Sequence, residues 1–222
     1  MAALCSCTCS INFGNPGNKH VKCKGEVITK NLSDVLEPDG FDQIVINGSA
    51  DLKYAQGEEY GIEVEANEEV FQYLNYHVED GVLFLETIDN VQIQAKKYDI
   101  YLESPILKRV VANGASDASI VAVDSQEKLE IQVNGAGDIE LQNITVPELT
   151  FTLNGASDLD ASELNVGSLN VSINGAGDVC LSGKAEKASL SVSGAGDIDA
   201  RNLECASIGK NKAGVARIRT QQ

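Results

Sequence analysis

The sequence predicts an all-β chain wound as a single-stranded, right-handed parallel β-helix, with coils of ~20 residues and a wider, irregular N-terminal part. Three observations carry that expectation. One pentapeptide recurs at a near-constant period, apolar residues alternate on either side of each copy, and glycine is plentiful while aromatics are scarce. Of 222 residues, 43% are hydrophobic but only 5% aromatic, with 20 glycines, four prolines and no tryptophan. The core must therefore be aliphatic and the turns numerous.

The repeat reads Asn113-Gly-Ala-Ser-Asp117, Asn134-Gly-Ala-Gly-Asp138, Asn154-Gly-Ala-Ser-Asp158, Asn174-Gly-Ala-Gly-Asp178 and Ser193-Gly-Ala-Gly-Asp197. Successive copies start 21, 20, 20 and 19 residues apart. A looser copy, Asn47-Gly-Ser-Ala-Asp51, lies 66 residues before Asn113, which leaves room for three further units. Before each corner come triplets such as Leu129-x-Ile131-x-Val133, Leu149-x-Phe151-x-Leu153 and Leu169-x-Val171-x-Ile173. After it come pairs such as Ile139-x-Leu141 and Val179-x-Leu181, then a third pair such as Ile144-x-Val146 or Leu164-x-Val166. Period two means strand with one buried face.

An Asn-Gly between alternating hydrophobics ordinarily marks a hairpin, which would give an antiparallel meander. The steady period favours parallel stacking instead, with each coil ~4.8 Å above the last, so that Asn sits on Asn, Gly on Gly and Asp on Asp. Asn113, Asn134, Asn154 and Asn174 are then turn residues, and Gly135, Gly155, Gly175 and Gly194 form a vertical line of corners. Glycine suits such a line because it tolerates positive φ and lets backbones approach closely. Right-handedness follows the usual sense of parallel crossovers.

The chain divides into residues 1–24, read as a signal remnant and tether, and a β-helix domain over 25–222. Within the domain, 25–105 are irregular coils, 106–200 regular coils and 201–222 a C-terminal cap. Residues 10–30 read as part of the tether, because Gly14, Pro16 and Gly17 break any pattern. All six tyrosines precede Ser104-Pro105, where the style of the sequence changes. The cap is basic, with five bases and one acid over 201–222, whereas 111–200 hold fourteen acids and three bases. Charged ends stop a stack from growing edge to edge.

Repeated Asn-Gly-Ala-(Gly/Ser)-Asp on alternating strands, preceded by Phe41-Asp-x-Ile44, resembles the head-GIN-domain family of auto-transporter adhesins. The resemblance covers about residues 25–200. It implies an exported bacterial β-helix protein of the outer membrane, cell surface or periplasm, often lipid-anchored and without enzymatic activity. The chain departs from the pattern after Asp197, where Ala213-Gly214 is followed by no Asp.

Charge narrows the partners. A net charge of −16 repels phosphate backbones and excludes nucleic-acid binding. No apolar run approaches the length of a membrane helix, so membrane contact is expected only through an N-terminal lipid. Leu4-Cys5-Ser6-Cys7 resembles a lipobox, which makes Cys7 the lipidation candidate. The competing reading is a metal site built from Cys5, Cys7 and Cys9 with His20 or Cys23, for which the fixed fourth ligand is undefined. Cysteine spacing does not describe a disulfide framework.

Stacked corners place Asp117, Asp138, Asp158, Asp178 and Asp197 in one column of carboxylates. Either backbone N–H groups satisfy them, as in turns, or the column collects Ca²⁺. The turn reading is preferred, so no metal and no cofactor is expected. No nucleophile–base pair and no phosphate-cradling loop is present, and no catalytic residue is assigned. The expected function is a non-catalytic, adhesin-like interaction or scaffold protein binding a glycan or protein at the surface, with homo-oligomerisation left open. The alternative is a carbohydrate-active β-helix protein, with Tyr54, Tyr73, Tyr76 and Tyr98 stacking on sugar rings.

Overall fold

A computed structural model describes residues 10–15, 18–33, 40–88 and 91–221. Twelve short strands precede two very long extended runs. The strands are β1 (Ser10–Asn15), β2 (Asn18–Lys22), β3 (Val27–Asn31), β4 (Gln43–Gly48), β5 (Asp51–Gln56) and β6 (Gly61–Asn67). A short 3-10 turn, Glu68–Gln72, leads to β7 (Leu74–Glu79), β8 (Val82–Thr87), β9 (Val91–Gln94), β10 (Tyr98–Ser104), β11 (Arg109–Ala115) and β12 (Ala118–Asp124). The runs are β13 (Leu129–Ala176) and β14 (Val179–Thr220). They bend at corners, and their mutual register shifts between Ala161 and Leu164.

Parallel register holds throughout the repeats. In β11 and β13, Asn113 faces Asn134 and Gly114 faces Gly135. In β13 and β14, Asn174 faces Ser193 and Gly175 faces Gly194. The corners are therefore stacked and are not hairpins. At each of them the carbonyl of one glycine sits where a Cβ of the next would be. The separations are 1.8 Å at Gly135, 2.0 Å at Gly155 and Gly175, and 2.1 Å at Gly194. Only glycine permits that approach, and φ of +134° to +151° at these four forbids an ordinary side chain as well. The column continues to Gly214 over Gly194, so the chain makes one more coil after the last Asp-bearing corner.

The N-terminal half corrects the expected fold class. The sheet is mixed, not purely parallel: β6 pairs antiparallel with both β10 and β3, and β7 pairs antiparallel with β8. Stacking order also departs from chain order. The layer β4–β5 lies directly against β11–β12, with Asn47 facing Asn113, 66 positions later in the chain. The room for three units is not filled by three units. It holds one layer, β8 and β10, on the far side of β4–β5, together with the antiparallel strands that cover it. Residues read as a tether also carry strands, since β1 pairs with β2 and β2 runs parallel to β9.

Inward positions of every layer form one core running from Val21 to Leu203. Leu129, Ile131 and Val133 are buried, as are Leu149, Phe151 and Leu153 in the next coil and Leu169, Val171 and Ile173 above. Each such side chain contributes roughly 1.5–3 kcal/mol by leaving water. Asn67 and Glu69 are the polar exceptions that pin the N-terminal strands. Asn67 donates to the Gly25 carbonyl (2.7 Å) and accepts from the Lys96 amide (2.8 Å), while Glu69 accepts from the Gly25 amide (2.8 Å).

Gly155→Ala should cost roughly 2–4 kcal/mol in chemical denaturation, since it adds a Cβ against backbone at a φ that alanine avoids. Gly209→Ala meets nothing closer than 3.8 Å and should change stability by less than about 0.5 kcal/mol.

Candidate functional site

The corners build two ladders. On one side Asn113 Nδ2 donates to Asn47 Oδ1 (2.7 Å), Asn134 to Asn113 (2.7 Å), Asn154 to Asn134 (2.8 Å) and Asn174 to Asn154 (3.0 Å). At its foot Asn47 Nδ2 donates to Glu86 Oε1 (2.5 Å), so a carboxylate ends the series. Each amide is both donor and acceptor, which is why stacked asparagines recur in parallel sheets.

On the other side the carboxylates form the second ladder. Asp51 accepts from the Asp117 amide (3.2 Å), Asp117 from Asp138 (2.8 Å), Asp158 from Asp178 (2.7 Å) and Asp178 from Asp197 (3.0 Å). Backbone donors hold Asp51, Asp117, Asp158 and Asp178, but they belong to the next coil and not to the residue's own corner, and Asp197 pairs instead with the Arg219 guanidinium (3.0 Å). The expected self-turn was therefore misplaced by one layer. Among the described residues no three His, Cys, Asp or Glu side chains converge into a metal cage.

The ladder edges a broad outward face of β10, β5, β12 and the following coils. Alternation brings Tyr101, Lys53, Ser119 and Glu140 into one row across that face, through Tyr101↔Lys53, Lys53↔Ser119 and Ser119↔Glu140 pairing. Two shallow hollows of about 620 and 630 Å³ share Lys53, Ser119 and Glu140 and so form one groove. The floor is low where Ala55, Gly61 and Ser119 face outward, and the rim rises where Glu63, Tyr101 and Glu103 do.

The densest electrostatics lie at the N-terminal end of the groove. Asp99 is buried and receives ammonium groups from Lys53 and from Lys97 (2.7 Å), and Lys97 also reaches Glu65 (3.3 Å). Burial pushes the Asp99 carboxyl up, but the two lysine hydrogen bonds and their charges outweigh it and hold it below the ordinary carboxylate value. Its cross-strand neighbour Asp51 is pushed up, chiefly by burial and further by the charges of Asp117 and Asp99, against the Asp117 amide. The Cys180 thiol is also raised, first by burial and then by Asp160 and the aspartates around it.

The tyrosines chosen for sugar stacking are placed differently. Tyr54 is sealed in the core, its hydroxyl bonded to the Ser104 carbonyl (3.1 Å), and burial lifts its pKa to about 12. Tyr73 and Tyr98 are buried, and Tyr76 packs half-covered against the core. None of the first three offers a ring face to a ligand. The tyrosine on the groove is Tyr101, which the sequence reading passed over, although its place two residues after Asp99 on an alternating strand marked it as outward. Lys53 lies 5.0 Å from its ring centre. Cys7, the lipidation candidate, lies outside the described residues.

Comparison with known proteins adds the family. A family model described as "Putative auto-transporter adhesin, head GIN domain" matches residues 40–162 and again 142–221. The chain belongs to the head GIN domain family. The overlap of the two matches falls within the regular coils of this head GIN chain, where one repeat is interchangeable with the next. Crystal structures share the fold. A "putative adhesin" from Parabacteroides distasonis aligns with TM-score 0.77 at 20% identity, over 90% of this chain and 84% of that one. A "putative adhesin" from Parabacteroides merdae gives 0.71 at 24%, over 90% and 83%. A "putative lipid binding protein" from Parabacteroides distasonis gives 0.73 at 19%, over 90% and 99%. No curated protein matches the chain.

A folded-state pKa held low stabilises the fold above the ordinary carboxylate pKa of about 3.9, and that contribution fades as pH falls through the lower folded value. Asp99→Asn should therefore lower stability at neutral pH by about 1–3 kcal/mol, with a difference from wild type that shrinks toward pH 2 in denaturant titrations. Because backbone amides hold Asp51, Asp117, Asp158 and Asp178 and Arg219 holds Asp197, millimolar Ca²⁺ should move the melting temperature by less than about 1 °C. A rise of several degrees reversed by chelator would instead place ions on the column.

Proposed function

We propose that this head GIN chain is a non-catalytic interaction module of the bacterial surface, whose binding face is the groove along the aspartate ladder. The observation that carries the proposal is the sameness of that face. Successive corners repeat one carboxylate at one backbone position, which makes a long rigid strip and not a unique reaction centre. Hydrolysis of a glycosidic bond needs two unlike carboxyl groups open to the sugar at a set separation. Repetition works against that requirement.

One pair does differ. Asp51 and Asp99 are cross-strand neighbours with pKa values displaced in opposite directions. That contrast favours the second reading, a carbohydrate-active protein. Against it, Asp99 Oδ2 is already engaged by Lys53, by Lys97 and by the Tyr101 hydroxyl (3.5 Å), and the residue is 5% exposed. A carboxylate so enclosed pins two strands and leaves no approach for an anomeric carbon.

The proposal extends to geometry and location. The repeated part is a right-handed β-helical stack, which the in-register parallel corners support. Export, with lipid on Cys7, is supported by family membership and by the lipobox-like opening. The partner is a surface glycan or protein that meets the groove through hydrogen bonds to its carboxylates and Lys53.

An array of glycans and extracellular proteins, with reaction products analysed alongside, tests the proposal. The expected result is binding weakened at least about tenfold by the exposed double change Glu140→Lys/Asp160→Lys, with no product formed. Turnover of a polysaccharide that Asp51→Asn abolishes would replace the proposal with the enzymatic reading. Lipid on Cys7 should appear by mass spectrometry of the protein from its host, and unlipidated full-length protein there would refute the anchor.

A further inference from the structure

The two ends of the stack are finished differently. At the N-terminal end antiparallel strands cover the outermost layer: β7 lies on β8, β6 and β3 on β10, and β1 beyond β2 on β9. At the C-terminal end the last coil, from about Ile208 to Thr220, has no strand paired beyond it among the described residues. An unpaired strand edge is a template for another chain. Something else has to guard it.

The register identifies the guard. Val171 faces Leu190, Ile173 faces Val192 and Gly175 faces Gly194, and Gly214 then stands over Gly194. Counting back from each corner glycine, the three inward positions are Leu169, Val171 and Ile173 in one coil and Ala188, Leu190 and Val192 in the next, all buried. In the last coil the same three positions are Ile208, Lys210 and Lys212. Two places that every lower repeat keeps apolar become lysine together, in the coil that has no strand paired beyond it among the described residues.

Lys210 confirms the direction by its contact. Its ammonium donates to Thr220 Oγ1 (2.7 Å), and Thr220 occupies the inward place held by the buried Ala200 one coil below. The charge thus lies across the mouth of the core, between two of its walls. Ile208, Ala216 and Ile218 stay half-covered beneath it, packed against the core. Val215, which faces outward at the corner, is 85% exposed.

We infer that Lys210 and Lys212 close the C-terminal end, keeping its edge from pairing with the same edge of a second copy. A two-fold edge contact would bring both lysines of each copy to one buried seam, where like charges repel and lose their hydration. Inward-pointing charge is an economical guard because it leaves the outer face of the coil unchanged for other use. The inference stands apart from the groove and its partners.

Sedimentation of Lys210→Leu/Lys212→Val tests it directly. The variant restores the aliphatic pair of the coil below, and its weight-average mass should rise from the 23.6 kDa monomer to at least about twice that as concentration increases. Wild type and Lys128→Leu, a change at an exposed position several coils from the edge, should stay monomeric. Lys210→Glu/Lys212→Glu should also stay monomeric, because either sign of charge guards the edge. The single change Lys212→Val should shift part-way, and it keeps the test readable if the double variant precipitates. A double variant that circular dichroism shows folded and that stays monomeric would overturn the inference. So would wild-type protein that already pairs through this edge.

Discussion

Backbone-to-backbone contact at the glycine corners is the constraint on which the rest of this structure depends. A carbonyl about 2 Å from the place of the next Cβ leaves no freedom to slide or invert a layer. Once the glycines are stacked, a single register follows for everything beside them. Asparagine amides meet in a ladder, aspartate carboxylates meet the amides of the following coil, and aliphatic side chains fall on one another inside. A one-residue slip would turn the buried set outward, so hydrophobic burial reinforces the same register. The polar ladders specify the stack and the core stabilises it.

The ladder carboxylates illustrate how a repeated feature can be structural and still shape a surface. Hydrogen bonding to the next coil engages one oxygen of Asp51, Asp117, Asp158 and Asp178 and leaves the outward side of the column acidic. The result is a long groove with a fixed spacing of charge, interrupted at one end by the Lys53–Asp99–Lys97 cluster. That cluster sits where antiparallel strands give way to parallel ones, and its buried carboxylate ties β5 to β10.

Much of the regular half was legible because its pattern is local and periodic. Alternation exposed the inward residues, and the recurring Asn-Gly exposed the corners down to Gly135, Gly155, Gly175 and Gly194. Less visible was a second set of bends at Ala122, Asn143 and Glu163, which adopt positive φ of 55–57° without glycine, followed in the next coil by Gly183 (φ 118°) opposite Leu164, beside a register shift. Only Asn143 and Gly183 carry the usual signature of that conformation. The N-terminal half was misread for a different reason. Its layers pair across long sequence separations, Asn47 with Asn113 and Glu86 with Asn47, and nothing in the spacing of a sequence reports which layer is placed between which. The tyrosines failed similarly: aromatic enrichment marks this half, but Tyr54 lies between β10 and β12 and Tyr98 against β6, pairings across long separations that the spacing does not report.

The insertion of the β4–β5 layer between the β8–β10 layer and the first regular coil is the most specific claim about this architecture. Oxidative cross-linking of an Asn47→Cys/Asn113→Cys variant, mapped by peptide mass spectrometry, measures it. Adjacent parallel residues lie within the ~4.4–6.8 Å Cα separation that a disulfide requires, so a 47–113 bond should form efficiently, with none in an Asn47→Cys/Asn134→Cys control. Layers stacked in simple chain order would separate Asn47 from Asn113 by about 15 Å. Failure of the 47–113 bond to form in folded protein would contradict the account.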